Sequence, residues 1–299
     1  MWLSLAFLSA LLLGFYDVAK KRALAGNAVL PVLWLNSVFG ALLFSPMVVA
    51  SVSGAGWFEG SILDIPAGTL HDHLLIVLKA CIVLGSWMCG YFGLKHLPLT
   101  IVGPINATRP VMVLLGALLL FGERLNALQW GGVIVAMVSL YLLGRTSRRE
   151  GVDFRNNKWI WCVGMAAVLG AASGLYDKYV MGRLDSVFVQ SWFNLYQAVI
   201  MTVIAAVLWW PRRKRSPFHW SWAIPFITLF VSAADFAYFY ALGLEDSLIS
   251  VVSMIRRGSV LVSFAYGAIV LREHNLRGKA FDLLLILLGM VLLYLGSRA

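Results

Sequence analysis

Hydrophobic and polar positions fall into long blocks along this chain, not into short periods. Ten mostly apolar runs lie near 2–24, 28–52, 72–94, 98–121, 126–144, 159–181, 186–210, 219–243, 246–271 and 276–296, each bounded by charge, Gly or Pro. Crossing a bilayer takes about 20 helical residues at about 1.5 Å each, and nearly every run is long enough. The pattern predicts an all-α integral membrane protein with ten transmembrane helices. Most connections are short, so neighbouring helices must run antiparallel. Two are longer: 53–71 is Gly-rich and acidic, and 145–158 is basic and polar. The second falls at the midpoint.

Comparing the two sides of that midpoint reveals a repeat. Gly14-Phe-Tyr16-Asp17 recurs as Gly174-Leu-Tyr176-Asp177, and Trp34-Leu-Asn36 as Trp192-Phe-Asn194. Tyr91-Phe-Gly-Leu94 meets Phe239-Tyr-Ala-Leu242, and the same register carries Arg109 onto Arg257 without a gap. Glu123 then matches Glu273 after a two-residue shift, and Tyr141-Leu-Leu-Gly144 is echoed by Tyr294-Leu-Gly296. The expected organisation is a first five-helix repeat over 1–145, a basic connection over 146–158 and a second repeat over 159–299. Five is odd, so the second repeat must lie inverted relative to the first. Inverted repeats of this kind are a feature of secondary transporters, whose sites lie near the bilayer midplane between the halves.

Composition narrows the class. The 299 residues are 61% hydrophobic and 13% charged, against about 25% charged in soluble domains, and mean hydropathy is +0.83. The net charge of +10 does not point to nucleic acid, because the basic residues sit in short loops between apolar runs. Cys81, Cys89 and Cys162 lie inside those runs and read as packing residues, neither disulfides nor metal ligands. The start, Met1-Trp-Leu-Ser-Leu, has no basic segment before its apolar run, so the run is kept as a helix and not as a signal peptide. No phosphate-binding glycine loop, ATPase motif or catalytic triad is visible, and no cofactor is expected.

The ordered motifs carry a resemblance. Gly90-Tyr-Phe-Gly-Leu-Lys-His-Leu-Pro98, then Gly122-Glu-Arg-Leu125, then the second-half echo Arg272-Glu273-His-Asn-Leu276 resemble the EamA branch of the drug/metabolite transporter superfamily over nearly the whole length. The resemblance implies a ten-helix carrier with a central cavity built by helices 1–4 and 6–9 and with helices 5 and 10 at the periphery. Runs 126–144 and 280–296 hold few polar groups, as lipid-facing helices would.

The loops 1–2, 3–4, 5–6, 7–8 and 9–10 hold 16 Lys and Arg, the opposite side holds three, and the other five lie inside helices. By the positive-inside rule both termini are expected on the external face, and the expected location is the plasma (inner) membrane of a bacterium. The resemblance implies cytoplasmic termini instead, so here the sequence departs from it.

Candidate site residues are those whose burial in a bilayer is costly. An arginine at mid-depth costs about 2.5–3.5 kcal/mol, yet Arg109 sits in run 98–121 and Arg256-Arg257 in run 246–271. Pro110, after Arg109, lacks a backbone donor and loosens the helix beside the charge. Facing a cavity, Arg109 and Arg257 would hold a carboxylate or phosphate by forked hydrogen bonds; the structural alternative is pairing with Asp17, Asp177 or Asp235. Arg256 and Arg257 point about 100° apart, one to the cavity and one to a neighbouring helix. Asp235 is a candidate proton carrier, or else the partner of an arginine. Asp17 and Asp177, with Tyr16 and Tyr176, are candidate gates at opposite faces, or else anchors for nearby lysines. Lys79 is expected to reach towards the interface. Asn36, Asn106 and Asn194 are candidate cavity amides or interhelical hydrogen bonds. Trp87, Tyr91 and Tyr238 are candidate cavity aromatics or packing. His71-Asp-His73 lacks further ligands for a metal site.

Three mid-depth arginines and Lys79 against Asp235 leave an excess of positive charge. The expected function is therefore alternating-access transport of a small anionic or zwitterionic metabolite, with a proton or counter-substrate as possible coupling partner. The alternatives are a flippase for a lipid-linked anionic headgroup, a multidrug exporter, or a membrane scaffold without transport.

Overall fold

The computed structural model describes residues 2–54, 56–61, 63–109, 111–113, 126–148, 155–181, 183–242, 255–256, 258–271 and 276–298. Among these residues there is no strand. Ten α-helices account for nearly all of them: α1 Trp2–Leu24, α2 Val29–Ser53, α3 Leu70–His96, α4 Leu99–Ala107, α5 Ala127–Arg148, α6 Lys158–Met181, α7 Ser186–Ile204, α8 Ala223–Leu242, α9 Ser259–Ile269 and α10 Leu276–Arg298. Five stretches are long and apolar enough to cross a membrane: Val29–Ser53, Leu70–His96, Lys158–Asp177, Ser186–Arg212 and Leu276–Gly296.

Local chemistry sets the ends. Thr69 caps α3 in a reciprocal box with Asp72, so this helix begins two residues before its apolar run. Asp185 accepts from the Val187 and Phe188 N–H groups and starts α7. Gly54 ends α2 at φ 65°, a left-handed conformation that glycine adopts without a steric cost. Beyond Ile204, α7 widens into a π turn over Ala205–Trp209 and tightens into a 3-10 turn over Trp210–Arg212.

Helices from the two halves of the chain pack in pairs: α1 with α8, α3 with α6, α2 with α7, α4 with α9 and α5 with α10. Exchanging the halves, so that helix 1 becomes 6 and so on, leaves this set of pairs unchanged. Small residues permit the close approaches. A Cβ on Gly93 would stand 2.2 Å from Val163, one on Gly14 2.3 Å from Val262, and one on Gly103 2.7 Å from Val260.

The basic connections gather on one face. Asn27 donates to the His219 carbonyl and accepts from its N–H, at 2.9 and 2.7 Å, tying loop 1–2 to loop 7–8. Lys21 reaches the carbonyls of Leu94 and Leu97 at 2.8 and 2.6 Å. His96 stacks on Trp159 with centroids 3.7 Å apart, and Arg22 donates to the Tyr266 hydroxyl at 2.5 Å. The opposite face carries the 53–71 connection, where Gly68 lies against Phe188.

Two expectations change. Helices α5 and α10 are not a plain apolar pair. Lys279 is 0% exposed and donates to Thr100 at 3.0 Å, and Asp282 is buried, its carbonyl accepting from Ser139. Lys279 therefore belongs to the helix interior and not to the basic loop that its sequence position suggested. Lys79 likewise does not reach the interface: it is 7% exposed and paired with Asp177.

Candidate functional site: two interrupted helices and a buried charge cluster

Helix α4 stops at Ala107, in mid-run. Thr108 folds back, its hydroxyl donating to the Ile105 carbonyl at 2.6 Å. Helical hydrogen bonding resumes from the far side, with the Val111 and Met112 N–H groups both meeting the Thr108 carbonyl. The interruption is the turn at Thr108, and Arg109 is already helical again. The second half repeats the device. Ile255 and Arg256 are helical, the Gly258 N–H closes a turn on the Ile255 carbonyl at 2.8 Å, and α9 starts at Ser259. Arg257 lies outside the described residues, as do Glu123, Glu273, Pro110 and the motif runs 122–125 and 272–275.

The Arg109 guanidinium rests on the bare backbone of Gly170 in α6 and donates to the Ala166 carbonyl at 3.4 Å. Its Nε is buried without a partner, as is the Asn106 Oδ1 one turn earlier. Tyr91 is 1% exposed and its phenol neighbours Tyr16. Leaving a buried polar group unpaired costs about 1–3 kcal/mol, so two beside one helix break mark a place built for something polar. Asp17 and Tyr16 of α1 act electrostatically on Arg109. Asp17 is paired with Lys20 at 2.6 Å, and the Lys20 ammonium lies 3.9 Å from the Tyr16 ring centre and 5.5 Å from that of Tyr91. One cluster thus joins Tyr16, Asp17, Lys20, Tyr91 and Arg109, from three helices.

Arg256 pairs with Asp235 of α8 and lies over the Tyr238 ring at 4.3 Å, while its Nε is buried without a partner. Asp235 also acts on Tyr16, which links this pair to the first cluster. On the acidic-loop side, Lys79 pairs with Asp177 and lies 5.0 Å from the Phe193 ring centre, and Tyr176 donates to the Leu75 carbonyl at 3.1 Å.

The amides divide by role. Asn36 accepts from the Thr228 hydroxyl at 2.9 Å, joining α2 to α8. Asn194 donates to the Gln190 carbonyl at 2.8 Å within α7, and its Oδ1 occupies the space beside Gly40 of α2. Trp87 packs on the main apolar cluster with Tyr16 and Tyr91. His73 accepts or donates at 2.9 Å with Tyr196 and stands edge-on to Trp192. Among the described residues no group of three or more His, Cys, Asp or Glu is placed to hold a metal ion.

Sequence reasoning offered Lys20 only as a lysine that Asp17 would anchor, and missed Gly170 as a member of the cluster and Gln197 as a buried amide whose nitrogen has no partner. Lys20 was legible as i, i+3 to Asp17. Gly170 carries no signal of its own, since only the fold brings it under Arg109.

The buried charges and helix interruptions sit in a bundle whose described residues include five stretches long and apolar enough to cross a membrane. Residues 1–145 match the family model of the EamA-like transporter family, the EamA branch of the drug/metabolite transporter superfamily. No curated protein matches. Several solved structures are similar in fold, among them a crystal structure with a TM-score of 0.64 and 16% sequence identity over 99% of this chain and 98% of that one.

Proposed function

We propose that the protein is a secondary transporter that moves a small anionic or zwitterionic metabolite by alternating access through two inverted five-helix repeats. The observation that carries this reading is the pair of unpaired buried atoms at the α4 interruption, Arg109 Nε and Asn106 Oδ1, with the Tyr16–Tyr91 phenol pair in the adjoining cluster. A carboxylate or phosphate would accept from the guanidinium and the phenol, and a hydroxyl or ammonium group on the same molecule would donate to the amide oxygen. Arg256 stands two residues before Gly258, the N-cap of α9, whose positive dipole end favours an anion. The exchange-invariant helix pairing supports the repeat, and the family match ending at residue 145 supports its boundary.

Asp235 and Arg256 supply the coupling. A substrate anion that takes Arg256 releases the carboxylate of Asp235, the candidate proton carrier, from its ion pair. Asp17 with Lys20 and Tyr16 on the basic face, and Asp177 with Lys79 and Tyr176 on the other, are the two gates. Arg257 is the second-half counterpart of Arg109, with Asn36, Asn194, Trp87 and Tyr238 as supporting wall residues. Both termini lie on the external face.

The test is a metabolite-binding screen on purified protein by thermal shift, with Arg109→Ala and Arg257→Ala as controls. Anionic ligands should stabilise wild type and lose most of that effect in both variants. Equal shifts in all three proteins would remove the clamp. A flippase reading is favoured by one feature, an apolar groove of about 450 Å³ between α1 and α8 lined by Leu5, Leu8, Leu12, Ala233, Phe236 and Ala237.

A further inference from the structure

The basic face is not uniform in how its charges are used. Lys21 caps the end of α3 through the Leu94 and Leu97 carbonyls. Lys95 donates to the Asn27 carbonyl at 2.7 Å. Arg22 is held by Tyr266 and Lys20 by Asp17. Arg212, Arg213, Lys214 and Arg215 differ. All four are exposed, no acidic residue occurs between positions 186 and 234, and none of the four joins an ion pair among the described residues.

These cations are nonetheless ordered. The Arg215 and Ser216 N–H groups close turns on the Arg212 carbonyl at 2.9 and 3.0 Å. The Trp209 indole donates to the Ser216 carbonyl at 3.0 Å, and the Arg213 guanidinium lies 4.3 Å from the Trp210 ring centre. The loop is tied down by the Ala28 N–H to the Pro217 carbonyl and by the Asn27–His219 pair. Exposed indoles flank it on both sides: Trp210 where α7 ends, and Trp220 and Trp222, packed edge-to-face at 5.9 Å, just before α8. Tryptophan concentrates at the headgroup level of a bilayer, and basic clusters at that level attract anionic lipid.

We propose that the α7–α8 loop is a binding surface for anionic phospholipid headgroups, with Arg212, Arg213, Lys214 and Arg215 meeting the phosphates and Trp210, Trp220 and Trp222 seated at the acyl boundary. The occupant is lipid and not a soluble polyanion, because the indoles place these cations at the membrane surface. This surface is separate from the Arg109 cluster and stands whether or not that cluster binds a metabolite.

The experiment uses the full chain purified in neutral detergent. Phosphatidylglycerol and phosphatidylcholine of equal chain length are titrated in, and bound lipid is counted by native mass spectrometry beside thermal stability. Wild type should retain the anionic lipid at least tenfold better. R212Q/R213Q/K214Q/R215Q should lose that preference, whereas R145Q/R148Q/R155Q/K158Q, with the same loss of charge on the same face, should keep it. Equal retention by the first variant, or equal loss in the second, overturns the assignment. Wild type gives an independent check that needs no variant. Raising salt from about 0.01 M to about 1 M shortens screening from about 30 Å to about 3 Å and should release the lipid; salt-insensitive retention also overturns it. Stronger stabilisation by polyglutamate than by phosphatidylglycerol would make the loop a protein-docking site instead.

Discussion

Gly170→Ala is the most direct probe of how Arg109 is held. A Cβ at this position would stand 2.7 Å from the guanidinium carbon and 2.9 Å from Nε and Nη1, where ordinary contact begins near 3.4 Å. The guanidinium must therefore withdraw by about 0.7 Å, the difference of those distances, or α6 must move away from α4. Overpacking of this kind costs about 1–3 kcal/mol, offset by about 1 kcal/mol from replacing glycine inside a helix. Gly164, on the same helix, has nothing within 4 Å of its added Cβ, so Gly164→Ala should gain the propensity term alone. Unfolding titrated with sodium dodecyl sulfate in mixed micelles measures both. The decisive arm is a double-mutant cycle with Arg109→Ala, which removes the clash. There Gly170→Ala should behave like Gly164→Ala, a coupling of about 1–3 kcal/mol. If Gly170→Ala has the same effect with and without Arg109, the guanidinium does not rest on Gly170 and the geometry proposed for the clamp is wrong.

Three other expectations can be checked on the same protein. Asp177→Asn should destabilise more than Lys79→Met, because it strands a buried ammonium; the cost should be about 1–3 kcal/mol, below the 3–5 of a fully buried pair since Asp177 keeps access to water, and the reverse order in the detergent titration would rule this out. Asn27→Ala removes side-chain bonds to the Ala23 and His219 carbonyls and from the His219 N–H; a loss of about 1–3 kcal/mol is expected, visible as faster proteolysis of the 7–8 loop, and unchanged cleavage would mean that the tie is idle. A reporter fused after Ala299 should be active only if it folds outside the cytoplasm, and activity of a cytoplasm-only reporter would reverse the orientation.

The apolar runs alone settled that this is a helical membrane chain, because twenty apolar residues in sequence have few other uses. They also located the helices to within a few residues, apart from α4 and α9, whose interruptions cut each run. The first interruption was legible from the adjacent Arg109-Pro110, a charge and a missing donor side by side. Site partners were not legible. Lys79 reads like any lysine two turns inside a helix, and only the α3–α6 contact brings it to Asp177. Arg256 and Asp235 are 21 positions apart and pair because α8 and the segment before α9 come together. Lys279 resembled a loop charge until α10 packed on α4 and α5. The physical reason is common to all three. Transfer to lipid is a sum over residues and can be read from a string, whereas the partner of a buried charge depends on which faces of different helices meet.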